Sequence, residues 1–353
     1  MKRVLTSDDV RAAVVGGAIL GGGGGGMMAE GERLARLALE AGAPELWSVD
    51  EFAPDACTAT VAMVGAPGAP DPHVSASQLL RTVQALQREL PSGRELMALN
   101  TNENGAQTTV NGWFQAAMTG LPLIDLACNG RAHPTSLMGA LGLHLRGDYV
   151  SIQTFAGGKP EFEVDGVARG RIAATSNVVR RASVDAGGLV AVARNPVTVD
   201  YACAHGAPGA ISRAIELGQA FLDGGVDAAC RLLGGEIVAE GTVLESAIRQ
   251  DGGLDLGSLK LDDAAGTTLR FVNEYMTLEQ RGERIADFPD LLMTFAQDGS
   301  PVVSAHVRAG MALRVVHAPR SQLLLSRTMH MPELYRPLEE MLGTRFAPEV
   351  TAP

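Results

Sequence analysis

The sequence predicts an α/β protein: a layered α/β/α domain followed by a smaller, β-barrel-like domain. Three observations carry the prediction. Up to about residue 232, short aliphatic and β-branched runs alternate with longer amphipathic runs, the pattern of strands and helices packed in layers. Between Gly234 and Pro319 the texture changes to short alternating runs punctuated by Gly and Asp, among them "TLRFVNEYMTLEQ", "DLLMTF" and "ALRVVHA". A closing stretch, "PELYRPLEEMLG", turns helical again. The expected domains are 1–232 (α/β), 233–320 (β-barrel-like) and 321–353, a C-terminal segment returning to the α/β domain.

Taken in order, "SDDVRAAVVGGAIL" opens with Ser7 as a cap and two acids before an apolar run, which suits a helix start. Six consecutive glycines, Gly21 to Gly26, then lead into an amphipathic run that ends before Gly42. Glycine loses more backbone entropy on folding than any other residue, so a run between two packed elements needs a reason. Two reasons compete. Gly23, Gly24 and Gly25 form an anion or oxyanion cradle at a helix N-terminus, or the run lets backbone pack on backbone without a ligand.

"ELWSV" and "TATVAMVG" read as strands, "PGAPDP" (Pro67 to Pro72) as a loop, and "SASQLLRTVQALQREL" as a helix capped by Ser75 or Ser77. "RELMALNT" reads as a buried strand, "TTVNGWFQAAMTG" as a helix ending at Gly120, and "LPLIDLAC" as a further strand. From Gly147 to Pro196 the signal is mixed, with a strand at "DYVSIQTF" and a helix at "ATSNVVRRASVDAGG"; "GAISRAIELGQAF" is helical. In the β-rich part, Asp298-Gly299 marks a hairpin. Trp47 and Trp113 are expected in the core.

Composition bounds the function. The 353 residues are 46% hydrophobic and 20% charged, enough for a large core. A net charge of −11 with no basic block opposes nucleic-acid binding. No apolar run reaches the roughly 18 residues of a membrane span, and no secretory leader is read at Met1-Lys2-Arg3, so a cytoplasmic homo-oligomer acting on a small molecule is expected. Cys57, Cys128, Cys203 and Cys230 are widely spaced, with no C-x-x-C pair, and all but Cys128 read as buried small hydrophobes.

The densest polar clusters end two successive strands: "LNTNENGAQ", with Asn100, Asn102, Glu103 and Asn104, and "DLACNGRAHP", with Asp125, Cys128, Asn129, Arg131 and His133. In an α/β layer both project at one edge of the sheet, facing the glycine loop, where ligands bind. A carboxylate, a thiol, an imidazole and a guanidinium there supply base, nucleophile and anion clamp. The plainer reading makes the Asp and Asn residues turn formers and helix caps.

"AILGGGGGG", "NENG", "DLACNGRAHPTSLMGALGL" and "DFPDLLMTFAQDGSPVVSAHVRAGMALRVVHAP", in this order over nearly the whole chain, resemble the family named for S-methyl thiohydantoin desulfurase. The resemblance implies an α/β first domain, a smaller β-barrel domain, hydrolytic removal of sulfur from C2 of a thiohydantoin-type ring, and genes that accompany hydantoinase-like proteins. The sequence departs from the family at the strand ends. Glu103-Asn104-Gly105-Ala106 stands where relatives show Glu-Ile-Gly-Gly, and Cys128 and Thr135 replace acids.

The chemistry so implied needs attack on C2, stabilisation of negative charge and a proton for the departing sulfur. Glu103 or His133 activates water, Arg131 or the glycine amides take charge, and His133 protonates the leaving group. Alternatively Cys128 attacks first and forms a covalent adduct. Asp125 joins the catalytic candidates; Asn104, Asn129, Arg131 and the glycines are the binding candidates. A divalent metal on Glu103, Asp125, His133 or His205 stays open, and no nucleotide cofactor is expected. Of the other histidines His73 is a lesser candidate, and His144, His306, His317 and His330 read as ordinary surface or packed residues. Two readings of other classes remain: a nucleotide-binding oxidoreductase using Asp50 on a ribose, and a noncatalytic partner of a hydantoinase-like enzyme.

Overall fold

In the computed structural model, residues 1–65 and 71–346 are described, so most of the loop read at Pro67–Pro72 and the tail beyond Phe346 lie outside the described residues. The chain runs β1 (Lys2–Val4), α1 (Ser7–Gly21), α2 (Met28–Ala41), β2 (Glu45–Trp47), β3 (Cys57–Gly65), α3 (Ala76–Glu89), β4 (Leu96–Glu103), α4 (Trp113–Thr119) and β5 (Leu123–Asn129). It continues through β6 (Ser151–Gly157), β7 (Val164–Gly170), α5 (Ile172–Asp185), β8 (Leu189–Thr198), α6 (Val199–His205), β9 (Ala207–Pro208) and α7 (Ala210–Leu233). The remainder is β10 (Glu236–Asp251), β11 (Leu254–Asp262), β12 (Thr268–Val272), β13 (Glu274–Gln280), β14 (Glu283–Asp287), β15 (Leu291–Ala296), β16 (Pro301–Val302), β17 (Ala312–Ala318) and α8 (Arg336–Leu342).

The first sheet has the order β1-β2-β5-β4-β3-β8-β6-β7, with the short β9 on β5. Only β2, β5, β4 and β3 are mutually parallel, and β8, β6 and β7 extend them antiparallel. The near-continuous apolar runs of β3, β4 and β5 follow from burial on both faces, which removes the alternation of a one-sided sheet. β7 and β8 fall where the sequence signal was mixed. Helix α1 starts one residue earlier than its Ser7 cap predicted: Thr6 is the cap, and its backbone N–H donates to Asp9 at 2.9 Å. Trp113 is fully buried, whereas Trp47 is half-buried under the Lys2 ammonium and outside the core.

The second sheet is wholly antiparallel, in the order β14-β13-β12-β11-β10-β17-β15-β16. The barrel expectation is corrected here. No pairing joins β14 to β16 among the described residues, so the sheet is open, its core formed by residues such as Leu259, Phe271, Leu278, Leu292 and Val315. The C-terminal segment touches both sheets. Ser326 donates its N–H to the Asn129 side chain at 3.0 Å, tying the segment to the end of β5. The closing helix α8 then packs on β12, with Tyr335, Leu338 and Phe346 against Val272 and Phe288 of the second sheet.

Helices α1 and α7 cross with their backbones in contact, and this crossing makes small residues obligatory. A Cβ at Gly16 would lie 1.8 Å from the Ala214 carbonyl oxygen, and one at Gly218 would lie 1.8 Å from that of Ala12. Neither backbone atom can move without separating the helices that carry Ile19, Leu217 and Val226 into one core. Gly218→Ala is therefore expected to cost at least ~2 kcal/mol by overpacking. Gly147→Ala, with nothing within 4 Å, should be near neutral. Urea unfolding midpoints of the two variants check this, and equal effects would contradict it.

Candidate active site

A cavity of 660 Å³ lies where the C-terminal ends of the parallel strands meet the start of β13. Its size is that of a small-molecule site. The first sheet contributes Asn102 and Glu103 from β4, the segment from His133 to Ser136 beyond β5, and Arg194 from β8. The second sheet contributes Asn273 and Glu274 at the start of β13, and Gly25, Gly26, Glu30 and Arg33 line it from the glycine loop and α2. Arg180 of α5 and His73 also line it.

Glu103 is the most closely held group of the site. Its Oε2 accepts from the His133 backbone N–H at 3.2 Å and from Asn102 Nδ2 at 3.2 Å, and lies 3.1 Å from His133 Nε2. All three contacts fall on one oxygen, which leaves Oε1 for a ligand. Asn102 also approaches His133 Nε2 at 3.3 Å and accepts at Oδ1 from Arg194 Nη2 at 2.7 Å. Arg194 reaches it from β8, across β3. Burial pushes the Glu103 carboxyl up to about 8, although the His133 N–H, Arg194 and Arg131 all favour its charge. Burial, with Arg194 second, holds His133 down at about 3, so its imidazole is neutral.

Glu274 faces the same cavity from the other sheet. It is 2% exposed, and its Oε2 has no hydrogen-bond partner among the described residues. Burial raises its carboxyl well above the ordinary range, with the Glu103 charge adding to the rise and Arg131 opposing it. The glycine loop packs against this group: a Cβ at Gly24 would sit 2.0 Å from Glu274 Oε1. One at Gly25 would sit 2.4 Å from the Gly105 Cα, in a backbone whose φ of +78° already favours glycine. The loop carbonyls are spent on structure, Gly22 O accepting from Tyr275 N at 2.8 Å, Gly23 O from Ser304 N at 3.0 Å and Gly25 O from Gln107 N at 2.9 Å. Close backbone packing thus accounts for most of the run. Of the three glycines read as a cradle, Gly25 reaches the cavity wall and Gly23 and Gly24 do not.

Several other candidates are placed elsewhere, each for a visible reason. Cys128 does not line the cavity: its thiol points into the sheet, 3.2 Å from Thr60 Oγ1 and 3.5 Å from Asn100 Nδ2, and burial pushes it up, against thiolate formation. Arg131 is fully buried outside the wall, stacked on Phe288 and donating to the carbonyls of Pro289 and Asp290, which makes it a tie between the sheets. Asp125 caps α7, accepting from the N–H groups of Ile211 at 3.0 Å and Ser212 at 3.1 Å. Asn104 donates to the carbonyls of Gly130 and Ala210, and Asn129 to that of Arg131. The cap reading thus holds for Asp125, whereas the Asn104 and Asn129 amides are spent on backbone carbonyls.

His205 lies within α6, stacked on Tyr201 at 4.0 Å. Among the described residues no three His, Cys, Asp or Glu side chains are grouped to hold a metal, so Glu103, Asp125, His133 and His205 do not form a ligand set. Asp50 sits in a single turn after β2, away from the cavity wall. Sequence reasoning passed over Arg180, Arg194 and Glu274. Arg194, a cation inside the apolar run "LVAVARNPVT", was the readable signal, since such a charge needs a buried partner. Glu274 carried none.

Comparison with known proteins adds the lineage. Sequence models described as the S-Me-THD-like N-terminal domain and the S-Me-THD-like C-terminal domain match residues 8–157 and 171–331. The crystal structure of a protein from Chromobacterium violaceum superposes with a TM-score of 0.74 at 20% identity, over 98% of this chain and 99% of that one. No curated protein matches.

The titration of the site has a signed consequence. Between pH 4.5 and about 8 the folded chain keeps a Glu103 proton that the unfolded chain releases. That contribution to stability is complete below the unfolded value and is lost as pH rises through the folded one. The Glu103 contribution should therefore lower the urea midpoint between about pH 4.5 and 8, and Glu103→Gln, which cannot ionise, should flatten that part of the profile. His133 has the opposite sign. Its contribution is lost as pH drops from 6.5 toward about 3, because only the unfolded imidazole takes up a proton there. A midpoint whose slope is unchanged in Glu103→Gln would show that Glu103 is not the group responsible.

Proposed function

The chain belongs to the S-Me-THD-like family, and from that premise we propose that it is an enzyme, a hydrolase that removes sulfur from C2 of a thiohydantoin-type ring and leaves a hydantoin. The observation that carries the reading is the Glu103 carboxyl, buried on a cavity of 660 Å³ with one oxygen held by His133 and Asn102. A base near the working pH is what water activation needs, and burial has moved this carboxyl there.

Glu103 in its ionised form takes a proton from water as the oxygen bonds to C2. His133, neutral throughout, holds the carboxylate in place through its backbone N–H and ring. The negative charge that develops at the ring is met by Arg194 and by Arg180, whose Nη1 donates to the Gly253 carbonyl at 3.3 Å and which has no carboxylate partner among the described residues. Sulfur departs as hydrogen sulfide or, from an S-methyl ring, as methanethiol. The covalent route through Cys128 has no support in its placement, because a raised thiol facing Thr60 is neither ionised nor presented to a ligand. The hydantoin product is itself a substrate class for hydrolytic ring opening, in keeping with the hydantoinase-like gene neighbours that the family implies.

Sulfide or thiol release from 2-thiohydantoins and from their S-methyl derivatives is the direct test. Glu103→Gln should lower kcat/KM by about 10²- to 10⁴-fold, the usual contribution of a general base. Cys128→Ser should stay within a few-fold of the parent, and a loss as deep as that of Glu103→Gln would restore the covalent route. Failure of the parent enzyme to release sulfur from either ring type would refute the reading.

A further inference from the structure

Glu274 is left without a task by the hydrolytic scheme. It is a carboxyl from the second sheet on a cavity whose Glu103, His133 and Arg194 come from the strands of the first sheet and the segment that follows β5. Of the three carboxyls that line the cavity, Glu30 is paired with Arg33, and Glu103 and Glu274 are supplied in opposite ways. Glu103 Oε2 is surrounded by the donors of Asn102 and His133, with Arg194 behind Asn102, an arrangement that stabilises a carboxylate. Glu274 Oε2 is buried with no donor to it among the described residues, an arrangement that stabilises the protonated acid. Arg131 lies behind the glycine loop, its Nη2 within 2.4 Å of where a Gly22 Cβ would be, and its single charge is shared between both acids. Two carboxyls that share so little positive charge do not both ionise, and the better-solvated one gives up its proton first.

Resting on the hydrolytic reading above, we propose that Glu274 is the acid that protonates the departing sulfur, so that base and acid are supplied by different sheets. The protons balance. Water's oxygen bonds to C2 while one of its protons passes to the Glu103 carboxylate, and the C2=N electron pair moves onto the ring nitrogen. That nitrogen takes the remaining hydroxyl proton as C2=O forms. The C2–S pair leaves with sulfur, which takes the Glu274 proton. Glu103 ends protonated and Glu274 ionised, and one proton passed between them through cavity water restores the starting state.

The test is the dependence on the leaving group. The parent and Glu274→Gln are compared on hydantoin C2-thioethers whose thiols range from methanethiol to a nitrothiophenol. A general acid matters most for the most basic leaving group. Glu274→Gln is therefore expected to lose about 10²- to 10³-fold in kcat on the S-methyl compound and less than about tenfold on the nitrophenyl compound. A loss equal across the series, or no loss, overturns the assignment while leaving the hydrolytic reading intact. Absence of thiol release by the parent enzyme overturns both. A second measurement does not need turnover: the infrared difference between parent and Glu274→Gln at pH 7 should contain a protonated-carboxyl band, and a carboxylate band in its place also overturns the assignment.

Discussion

The closeness with which the glycine run threads between the two sheets sets the rest of the molecule. On one side Gly25 lies against the backbone of Gly105, at the end of β4; on the other, Gly24 lies against the Glu274 carboxyl. Tyr275 and Ser304 of the second half bind the carbonyls of Gly22 and Gly23, while Gln107 of the first half binds that of Gly25. A segment with side chains would hold these surfaces apart by the thickness of a methyl group or more. The ends of the parallel strands would then face open solvent rather than a carboxyl-bearing second wall. The entropy lost in ordering several glycines is the cost of that approach.

Bringing the sheets so close also concentrates charge where water is scarce. Glu103, Glu274, Arg131 and Arg194 are all buried, and desolvation is the largest influence on each. Such an arrangement is a poor source of stability, because dehydrating charges offsets their attraction. Its value lies in holding acids with displaced proton affinities at fixed positions, which is what proton transfer at neutral pH requires. Arg131 serves by position. Its contacts to the Pro289 and Asp290 carbonyls tie the sheets together, and its charge biases both acids without touching the cavity.

The alternation of the parallel strands and the polar clusters at their ends were readable, and so Glu103 and His133 were found. The same clusters misled at Cys128 and Arg131, because proximity in sequence says nothing about which face of a buried strand a side chain takes. Cys128 is the penultimate residue of β5 and turns toward Thr60, while Arg131 folds away toward Phe288. Glu274 was invisible for another reason. In "TLRFVNEYMTLEQ" the polar pair Asn273-Glu274 between two apolar runs has the look of a turn or an outward-facing strand position, and the packing of β13 against the glycine loop buries the acid. Hairpin signals likewise located the strands of the second sheet without revealing whether its two ends meet.

β8 occupies the middle of the first sheet, between β3 and β6, although it comes after β6 and β7 in the chain. It also lies in the part of the chain matched by the C-terminal family domain, while its neighbour β3 lies in the part matched by the N-terminal one. The two halves defined by sequence are therefore interleaved in space. A growing chain that has made β1 to β5 carries β3 as a bare edge, with its hydrogen-bonding groups open to any strand that arrives, until β8 is synthesised and inserted. Such long-range pairing is slow to form. The strand that brings Arg194 to the cavity thus also closes the open edge of β3, so that shielding of that edge during synthesis and assembly of the site are completed by the same event.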